Sequence, residues 1–231
     1  MFVITIDTEW VPQELLDETV KLLDDYSIQS TLFITNNYDF TNMSEHELSI
    51  HPNFYQDGEI SEILKKTISL LPANHSLGSR SHGLFSSTKM FVEYEKLGIK
   101  YDSNYFIPFA TNPEPFIFDG IDVVEIPIFF ADDNKLQSQD FKFNSIHLND
   151  SGTKVFLFHP SHIFMNTTSL EHYKQIKNHY HDYEQLSKIR KLNEVGIRNM
   201  FTSLLEYIEK NNISTCTMAE VNNNFRSKLK S

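Results

Sequence analysis

The sequence predicts an α/β fold built on a parallel sheet, and three observations support this prediction. Short apolar runs alternate with amphipathic stretches through most of the 231 residues, which is the pattern of parallel strands joined by helices. The apolar runs are continuous, as expected for strands buried on both faces. The length suits one strand–helix barrel, since such barrels routinely occupy about 250 residues. We therefore expect one domain, residues 1–231, that is a distorted parallel (β/α) barrel with extra C-terminal helices.

The first half of the chain alternates strands and helices in regular order. Strands are expected at 2–6, 30–35, 47–51 and 76–80, and helices at 12–26, 58–71 and 88–98. Pro12 stands near the start of the first helix, where its fixed backbone angle is tolerated. Pro72 and Gly98 end the next two helices.

The second half holds three further strands and then mainly helices. Strands are expected at 99–104, 123–130 and 154–160, a last short strand at 213–217, and helices at 169–190, 194–211 and 218–229. The segment 131–150 is polar and irregular, so it predicts a loop over one end of the sheet, with His147 inside it. Asp132 and Asp133 could reach that end of the sheet, but a turn within the loop is the favoured interpretation.

Composition and charge exclude several classes of protein. The formal net charge is -11, which would repel a nucleic-acid backbone. No apolar run approaches the roughly 18 residues that span a bilayer, so we expect no membrane insertion. No basic segment precedes the first strand, and Cys216 is the single cysteine. These features favour the cytoplasm.

Titratable side chains directly follow four of the predicted strands. They are Asp7 and Glu9 after the first strand, His51 after the third, Arg80 and His82 after the strand at 76–80, and His159 and His162 after the strand at 154–158. In parallel barrels the carboxyl ends of the strands lie at one rim and carry the active site. The sequence therefore predicts that two acids, four histidines and one arginine converge there.

This mixture of side chains indicates a metal site. Asp7 and Glu9 are two residues apart, so in an extended strand they leave the same face. Two like charges so close require a cation or an arginine between them, and a metal together with Arg80 would supply both. Carboxylate with imidazole suits zinc or a similar divalent ion better than calcium. His46 is five residues from His51 and points to the opposite strand face, so we exclude it.

The order of these motifs resembles that of the polysaccharide deacetylases, the NodB-homology group of carbohydrate esterases, over residues 2–162. The motifs are TIDTEW, HELSIH, SRSHG and FLFHP. The resemblance implies a divergent barrel of that type. It implies Asp7 as general base, Glu9 and His51 as metal ligands, Arg80 as the residue that orients the base, and His159 as general acid.

Two positions depart from the family pattern. The second metal histidine usually stands four residues after the first, where this chain has Tyr55. The arginine motif usually carries a proline where this chain has His82. We hypothesise that His82 supplies the missing imidazole. His162, Asn53 and Tyr55 are candidate substrate-binding residues.

The resemblance implies a metal-dependent hydrolase with a divalent ion, expected to be Zn²⁺. It would remove an N-acyl group, with acetyl as the first expectation, from a sugar or sugar nucleotide in surface-glycan biosynthesis. Two alternatives stay open. The same fold could serve a deformylase or another small-amide hydrolase. With Tyr55 in place of a ligand, it could also be a non-catalytic barrel that binds a sugar or a partner protein.

Overall fold

The computed structural model describes residues 1–73, 75, 77–142 and 148–230. The strands within them are β1 (Phe2–Asp7), β2 (Ser30–Ile34), β3 (Glu47–Ile50), β4 (Gly78–Ser79), β5 (Tyr101–Asp102), β6 (Phe116–Ile117), β7 (Val124–Glu125), β8 (Ile128–Ala131) and β9 (Lys154–Phe158). The helices are α1 (Gln13–Asp25), α2 (Ile60–Ile68), α3 (Thr88–Leu97), α4 (Lys135–Ser138), α5 (Pro160–Met165), α6 (Leu170–Lys177), α7 (Tyr183–Lys188), α8 (Ile197–Lys210) and α9 (Met218–Leu229). The predicted α/β fold with C-terminal helices is confirmed.

The strands form one curled, mixed sheet in the order β6-β7-β5-β4-β3-β2-β1-β9-β8. The β6–β7 pair is antiparallel, and the other described pairs are parallel. The chain after β5 reaches across to β8, where Ile128 N donates to Tyr105 O at 2.8 Å and Ile107 N donates to Ile128 O at 2.9 Å. The curl therefore brings the carboxyl ends of distant strands towards one cavity.

The core lies on both faces of the sheet, because its central strands are buried throughout. All six residues of β1 and all five of β9 are buried. On the outside, α1 contacts α5, and α5 contacts α8. Helix α8 turns a continuous apolar stripe inwards, formed by Ile197, Met200, Phe201, Leu204, Leu205 and Ile208. Such a stripe at helical spacing is what fixes a helix against a sheet.

Several element boundaries differ from the sequence-based expectations. The run 123–130 is two strands, β7 and β8, because Pro127 lacks the N–H that a continuous ladder needs. The expected helix 169–190 is two helices, since the Asp182 side chain accepts from Gln185 N and starts α7 anew. The expected strand 213–217 is a single bridge from Thr215 to Phe2.

Three elements were not expected at all. Strand β6 has two residues, too few for a pattern in the sequence. Helix α5 begins with Pro160 in its first turn, a favourable position for proline, although the sequence reads as the end of a strand. Helix α4 interrupts the expected loop 131–150; His147 in that segment lies outside the described residues. No helix in the described ranges is both long enough and apolar enough to span a membrane.

Candidate active site

The first two acids of the site lie on a left-handed turn that follows β1. Asp7 is the last residue of β1 and is buried, whereas Glu9 and Trp10 have positive φ angles of 42° and 58°. The expectation that both acids leave one face of an extended strand was therefore wrong, because Glu9 is not in a strand. The two acids nevertheless line the same cavity. Two hydroxyls hold the turn, since Trp10 N donates to Thr35 Oγ1 at 2.8 Å and Thr8 Oγ1 donates to Phe33 O at 3.1 Å.

Arg80 fixes the carboxylate of Asp7 from beneath the cavity. Its guanidinium is fully buried and donates to Asp7 Oδ1 at 3.0 Å and to Thr5 Oγ1 at 2.7 Å. It also donates twice to Ser103, at the backbone oxygen and the hydroxyl, and it lies 4.4 Å from the centre of the Phe33 ring. Because Oδ1 is engaged, Oδ2 is the oxygen that faces the histidines.

Glu9, His51 and His82 form a group that can hold a metal ion. One donor atom from each lies within 4.8 Å of the other two. Glu9 Oε1 is 2.8 Å from His82 Nδ1 and 3.5 Å from His51 Nε2. Burial opposes ionisation of Glu9, but the two imidazoles outweigh it and lower the pKa of that carboxyl.

His51 provides the test of whether these residues fit a metal. The side chain is buried, and neither ring nitrogen has a hydrogen-bond partner. A buried polar atom without a partner is costly, and a metal bound at one of the two ring nitrogens would give that nitrogen a partner. One carboxylate and two imidazoles are also a common zinc donor set, with a further position open to water. The residues present therefore fit a divalent ion.

His159 follows β9 and is held by Asp132, which follows β8. Asp132 Oδ1 lies 2.7 Å from His159 Nδ1, and Asp132 Oδ2 accepts from His159 N at 2.8 Å. Burial alone would disfavour a charged imidazole, but Asp132 and Glu9 outweigh it and raise the pKa of His159 well above its usual range. His159 Nε2 is 3.7 Å from Glu9 Oε1, so this ring faces the candidate metal ligands.

His162 lies in the first turn of α5 and is buried beside His159. Its Nδ1 is 3.0 Å from Thr167 Oγ1, and its ring centre is 4.8 Å from that of Tyr173. Burial and the neighbouring His159 lower its pKa well below the ordinary value. His162 is therefore a neutral hydrogen-bonding group. Asp132, His159 and His162 could also hold an ion by distance, but both oxygens of Asp132 already bind His159.

A cavity of about 220 Å³ opens at this point and brings most of the predicted residues together. It is lined by Asp7, Glu9, His82, His159 and His162, together with Leu84, Phe106, Ala131, Asp133, Leu157 and others. Arg80 and His51 lie behind its wall. The sheet thus gathers seven side chains that span residues 7 to 162.

Asn53 and Tyr55 lie beside this cavity rather than in its lining. Asn53 Oδ1 accepts from Tyr55 N at 2.9 Å, which forms a turn after His51. The Tyr55 side chain is 67% exposed, and its ring centre is 6.3 Å from that of His82.

Sequence reasoning left out two of the residues that support the site and favoured a loop turn for a third. The two are Ser103 and Thr35, and the third is Asp132. Asp132 carries the signal that the other residues carried, an acid directly after a buried strand. It was assigned to a loop because the strand before it was placed one residue short.

Comparison with known proteins gives one family and several solved structures. The family model described as WbmS-like polysaccharide deacetylase matches residues 4–177. No curated protein matches the sequence significantly. A solved structure described as a polysaccharide deacetylase involved in O-antigen biosynthesis, from Bordetella bronchiseptica, superposes with a TM-score of 0.80 at 26% identity, covering 89% of this chain and 90% of that chain.

More distant structures share the fold alone. A polysaccharide deacetylase from Mycobacterium smegmatis has a TM-score of 0.57 at 10% identity and covers 98% of this chain and 90% of its own. A CE4 family pseudoenzyme from Bacillus anthracis has a TM-score of 0.50 at 13% identity and covers 96% of this chain and 65% of its own. The barrel type expected from the sequence motifs is thereby confirmed.

Proposed function

The chain belongs to the WbmS-like family of polysaccharide deacetylases, and on that premise we propose that it is a metal-dependent hydrolase of an acylated sugar. It removes an N-acyl group, with acetyl as the first expectation, in the synthesis of a surface glycan. The described relative from Bordetella bronchiseptica supports the glycan assignment, since it is reported to take part in O-antigen biosynthesis. The reaction is hydrolysis of a carbon–nitrogen amide bond.

The environment of His51 is the observation that carries this proposal. A buried imidazole with two unpaired nitrogens stands 3.5 Å from Glu9 Oε1 and 3.9 Å from Asp7 Oδ2. A core histidine with a purely structural role would be hydrogen-bonded, as His46 is to Ser30 and Asp24. The absence of such partners at His51 supports its proposed role as a ligand.

The metal would be held by Glu9, His51 and His82. When bound there, a divalent ion such as Zn²⁺ supplies Lewis-acid polarisation of the acyl carbonyl and a water molecule of lowered pKa. The remaining chemistry belongs to side chains of this protein.

Asp7 is the general base in this proposal. Arg80 engages Oδ1, so Oδ2 is the oxygen that accepts the proton of the attacking water. The buried guanidinium also keeps the carboxylate from rotating, because it is anchored on Ser103 at the other end. Positioning of this kind is what makes proton transfer efficient.

His159 is the general acid. Its Nδ1 is bound to Asp132, so the proton that it can give up is at Nε2, on the side of Glu9. This proton passes to the leaving nitrogen of the sugar amine as the carbon–nitrogen bond breaks. Asp132 stabilises the charged ring before transfer and fixes its orientation, as the acid does in other aspartate–histidine pairs.

The test measures metal content and amide hydrolysis in parallel. Full-length protein, purified without chelator, is assayed by elemental analysis and with N-acetylglucosamine oligosaccharides. We expect Asp7→Asn to bind metal and lose turnover, and His51→Ala to lose both. His179 is an exposed histidine on the surface, so His179→Ala is the matched control and should match the wild type.

Three results would reject parts of the proposal. Loss of metal in Asp7→Asn would mean that the roles of the two acids are exchanged. Absence of any divalent metal, with no added ion restoring hydrolysis, would favour the non-catalytic barrel. A preference for formyl over acetyl amides would favour the small-amide hydrolase.

A further inference from the structure

The two sides of the active-site cavity differ in polarity. One side is polar and consists of Ser161, His162, Tyr173 and Asp133. The other is apolar: Leu84 and Phe106 pack against a small cluster of Ile128, Ala131 and Leu157 that is separate from the main core. A substrate amide at this centre has a sugar on its nitrogen and a hydrocarbon group on its carbonyl. The polar side suits the sugar, so the apolar side suits the acyl group.

A second cavity of about 220 Å³ adjoins the apolar side, and we call it the acyl chamber. Its lining is Phe106, Pro108, Phe109, Phe130, Ala131, Asn134, Lys135 and Ser138. Phe106, Ala131 and Asn134 line both cavities, so the two cavities are neighbours on either side of these residues. An acetyl group would be held by the first cavity and would leave the acyl chamber unused.

The acyl chamber is built on fixed backbone. The segment that carries Phe106 and Phe109 is hydrogen-bonded to β8, with Ile107 N donating to Ile128 O at 2.9 Å and Phe109 N donating to Phe129 O at 3.1 Å. The Phe109 ring also packs against Phe129 and Phe130, with centre distances of 5.5 and 6.4 Å. A preformed apolar cavity binds a ligand without the loss of conformational entropy that ordering of its lining residues would require.

We propose that the acyl chamber binds the hydrocarbon chain of an N-acyl group longer than acetyl. The inference rests on the proposed function, because it uses the amide position that the site defines. It adds the class of acyl group, an aliphatic chain of four carbons or more. The chain runs from the carbonyl along Leu157 and Phe106 into the acyl chamber, while the sugar lies against His162 and Tyr173.

Binding of a series of N-acylglucosamines tests this without requiring turnover. N-formyl-, N-acetyl-, N-butyryl- and N-hexanoylglucosamine are titrated calorimetrically into the full-length protein treated with chelator, so that no ligand is consumed. Each methylene transferred into an apolar site should lower Kd by about three- to fourfold. A Kd that does not change from acetyl to hexanoyl overturns the proposal.

Two variants fill the acyl chamber from different sides. Ala131→Leu adds bulk at a residue that lines both cavities, and Ser138→Trp fills the acyl chamber from α4. Both should abolish the dependence on chain length. Ser138 does not line the first cavity, so Ser138→Trp should also leave binding of the acetyl ligand within about twofold. Ala73→Leu is the control, because Ala73 is exposed and does not line either cavity; it should retain the wild-type dependence.

The outcomes separate this inference from the proposed function. If the metal-loaded protein hydrolyses acetyl substrates but Kd does not change with acyl chain length, the assignment of the acyl chamber fails. The proposed hydrolase function then stands. If Kd follows chain length but no amide is cleaved, the function fails and the acyl chamber remains a binding site. If both filled variants melt like the wild type and keep its chain-length dependence, another surface binds the chain and the proposal is wrong.

Discussion

At the scale of single residues, His82 and Tyr55 are the two positions that bear on the third ligand of the proposed metal site. The family pattern places an imidazole at the position of Tyr55, which is 67% exposed here, whereas His82 lies 2.8 Å from Glu9. Their ring centres are 6.3 Å apart. An imidazole at either position could therefore face the same ion.

This arrangement gives a rescue prediction. His82→Ala should weaken zinc affinity by tenfold or more, because one of three donors is lost. Adding Tyr55→His in that background should restore part of the affinity, since the new ring stands beside the vacant position. Zinc competition with a chromophoric chelator measures both. Full zinc occupancy in His82→Ala alone would remove His82 from the ligand set.

The sequence predicted the residues that directly follow regular strands and failed where the backbone departs from a strand. Arg80 and His159 are placed by the rule for parallel strands alone. Glu9 is at the site for another reason, a left-handed turn held by Thr35, which strand periodicity does not describe. Asp132 falls in the polar segment 131–150, which predicts a loop, although β8 extends to Ala131 directly before it. The periodicity of apolar residues does not show hydrogen bonds between distant residues, and it does not show where the backbone leaves a regular strand.

At the scale of elements, β5 and β7 bring two acids face to face. Asp102 and Glu125 are register partners across this parallel pair, and both are buried. Burial raises the pKa of Glu125 to about 7 and raises that of Asp102 well above its ordinary value. Glu125 Oε1 accepts from Asn104 N and Tyr105 N, so the pair also fixes the chain that leads towards the acyl chamber.

Glu125 predicts a fall in stability as pH rises. The pKa of a free glutamate is 4.5, and the folded value is about 7, so the folded state binds more protons between these values. The free energy of unfolding therefore decreases as pH rises through this window. Glu125→Gln imitates the neutral acid, and its loss of stability between pH 5 and pH 8 should be smaller than that of the wild type. Urea unfolding at both pH values measures this, and equal losses in the two proteins would contradict it.

The contact between β4 and β5 depends on a glycine. Gly78 and Tyr101 are register partners, and a Cβ at Gly78 would lie 1.8 Å from the Tyr101 ring. The ring has no room to withdraw, because its hydroxyl bonds Glu47 at 2.7 Å and Ser49 at 2.6 Å.

Gly78→Ala should therefore destabilise the protein by about 3 kcal/mol. Gly120→Ala is the comparison. Nothing lies within 4 Å of a Cβ there, although its φ is 76°, so that change should cost about 1 kcal/mol through backbone strain alone. Urea denaturation of the two variants measures the difference. Equal losses of stability in the two variants would show that β5 can move to accommodate the extra methyl group.

At the scale of the whole molecule, the site is a junction between distant parts of the chain. Its side chains come from β1, from the turns after β3 and β4, and from the residues after β8 and β9. A metal bound to Glu9, His51 and His82 would therefore link the segments that follow β1, β3 and β4, which are far apart in the sequence. Ligand binding to the folded state alone stabilises it by mass action.

Chelation should lower the melting temperature. With free metal at a hundredfold excess over Kd, the stabilisation is about 2.7 kcal/mol, and EDTA should remove it. His51→Ala is the control, because without the ligand its melting temperature should not respond to metal or chelator. A wild-type melting temperature that stays the same on addition of metal and of EDTA would contradict a stabilising contribution of the ion.

The central place of β1 in the sheet has a consequence for how the protein is made. Strand β1 pairs with β9, so Phe2 contacts Lys154 and Ile6 contacts Phe158. Contacts of such long sequence separation form slowly. A ribosome must therefore release the chain beyond Phe158 before β1 gains its second neighbour. Until then an apolar strand edge stays open on the nascent polypeptide, which is the stage at which a chaperone would be needed most.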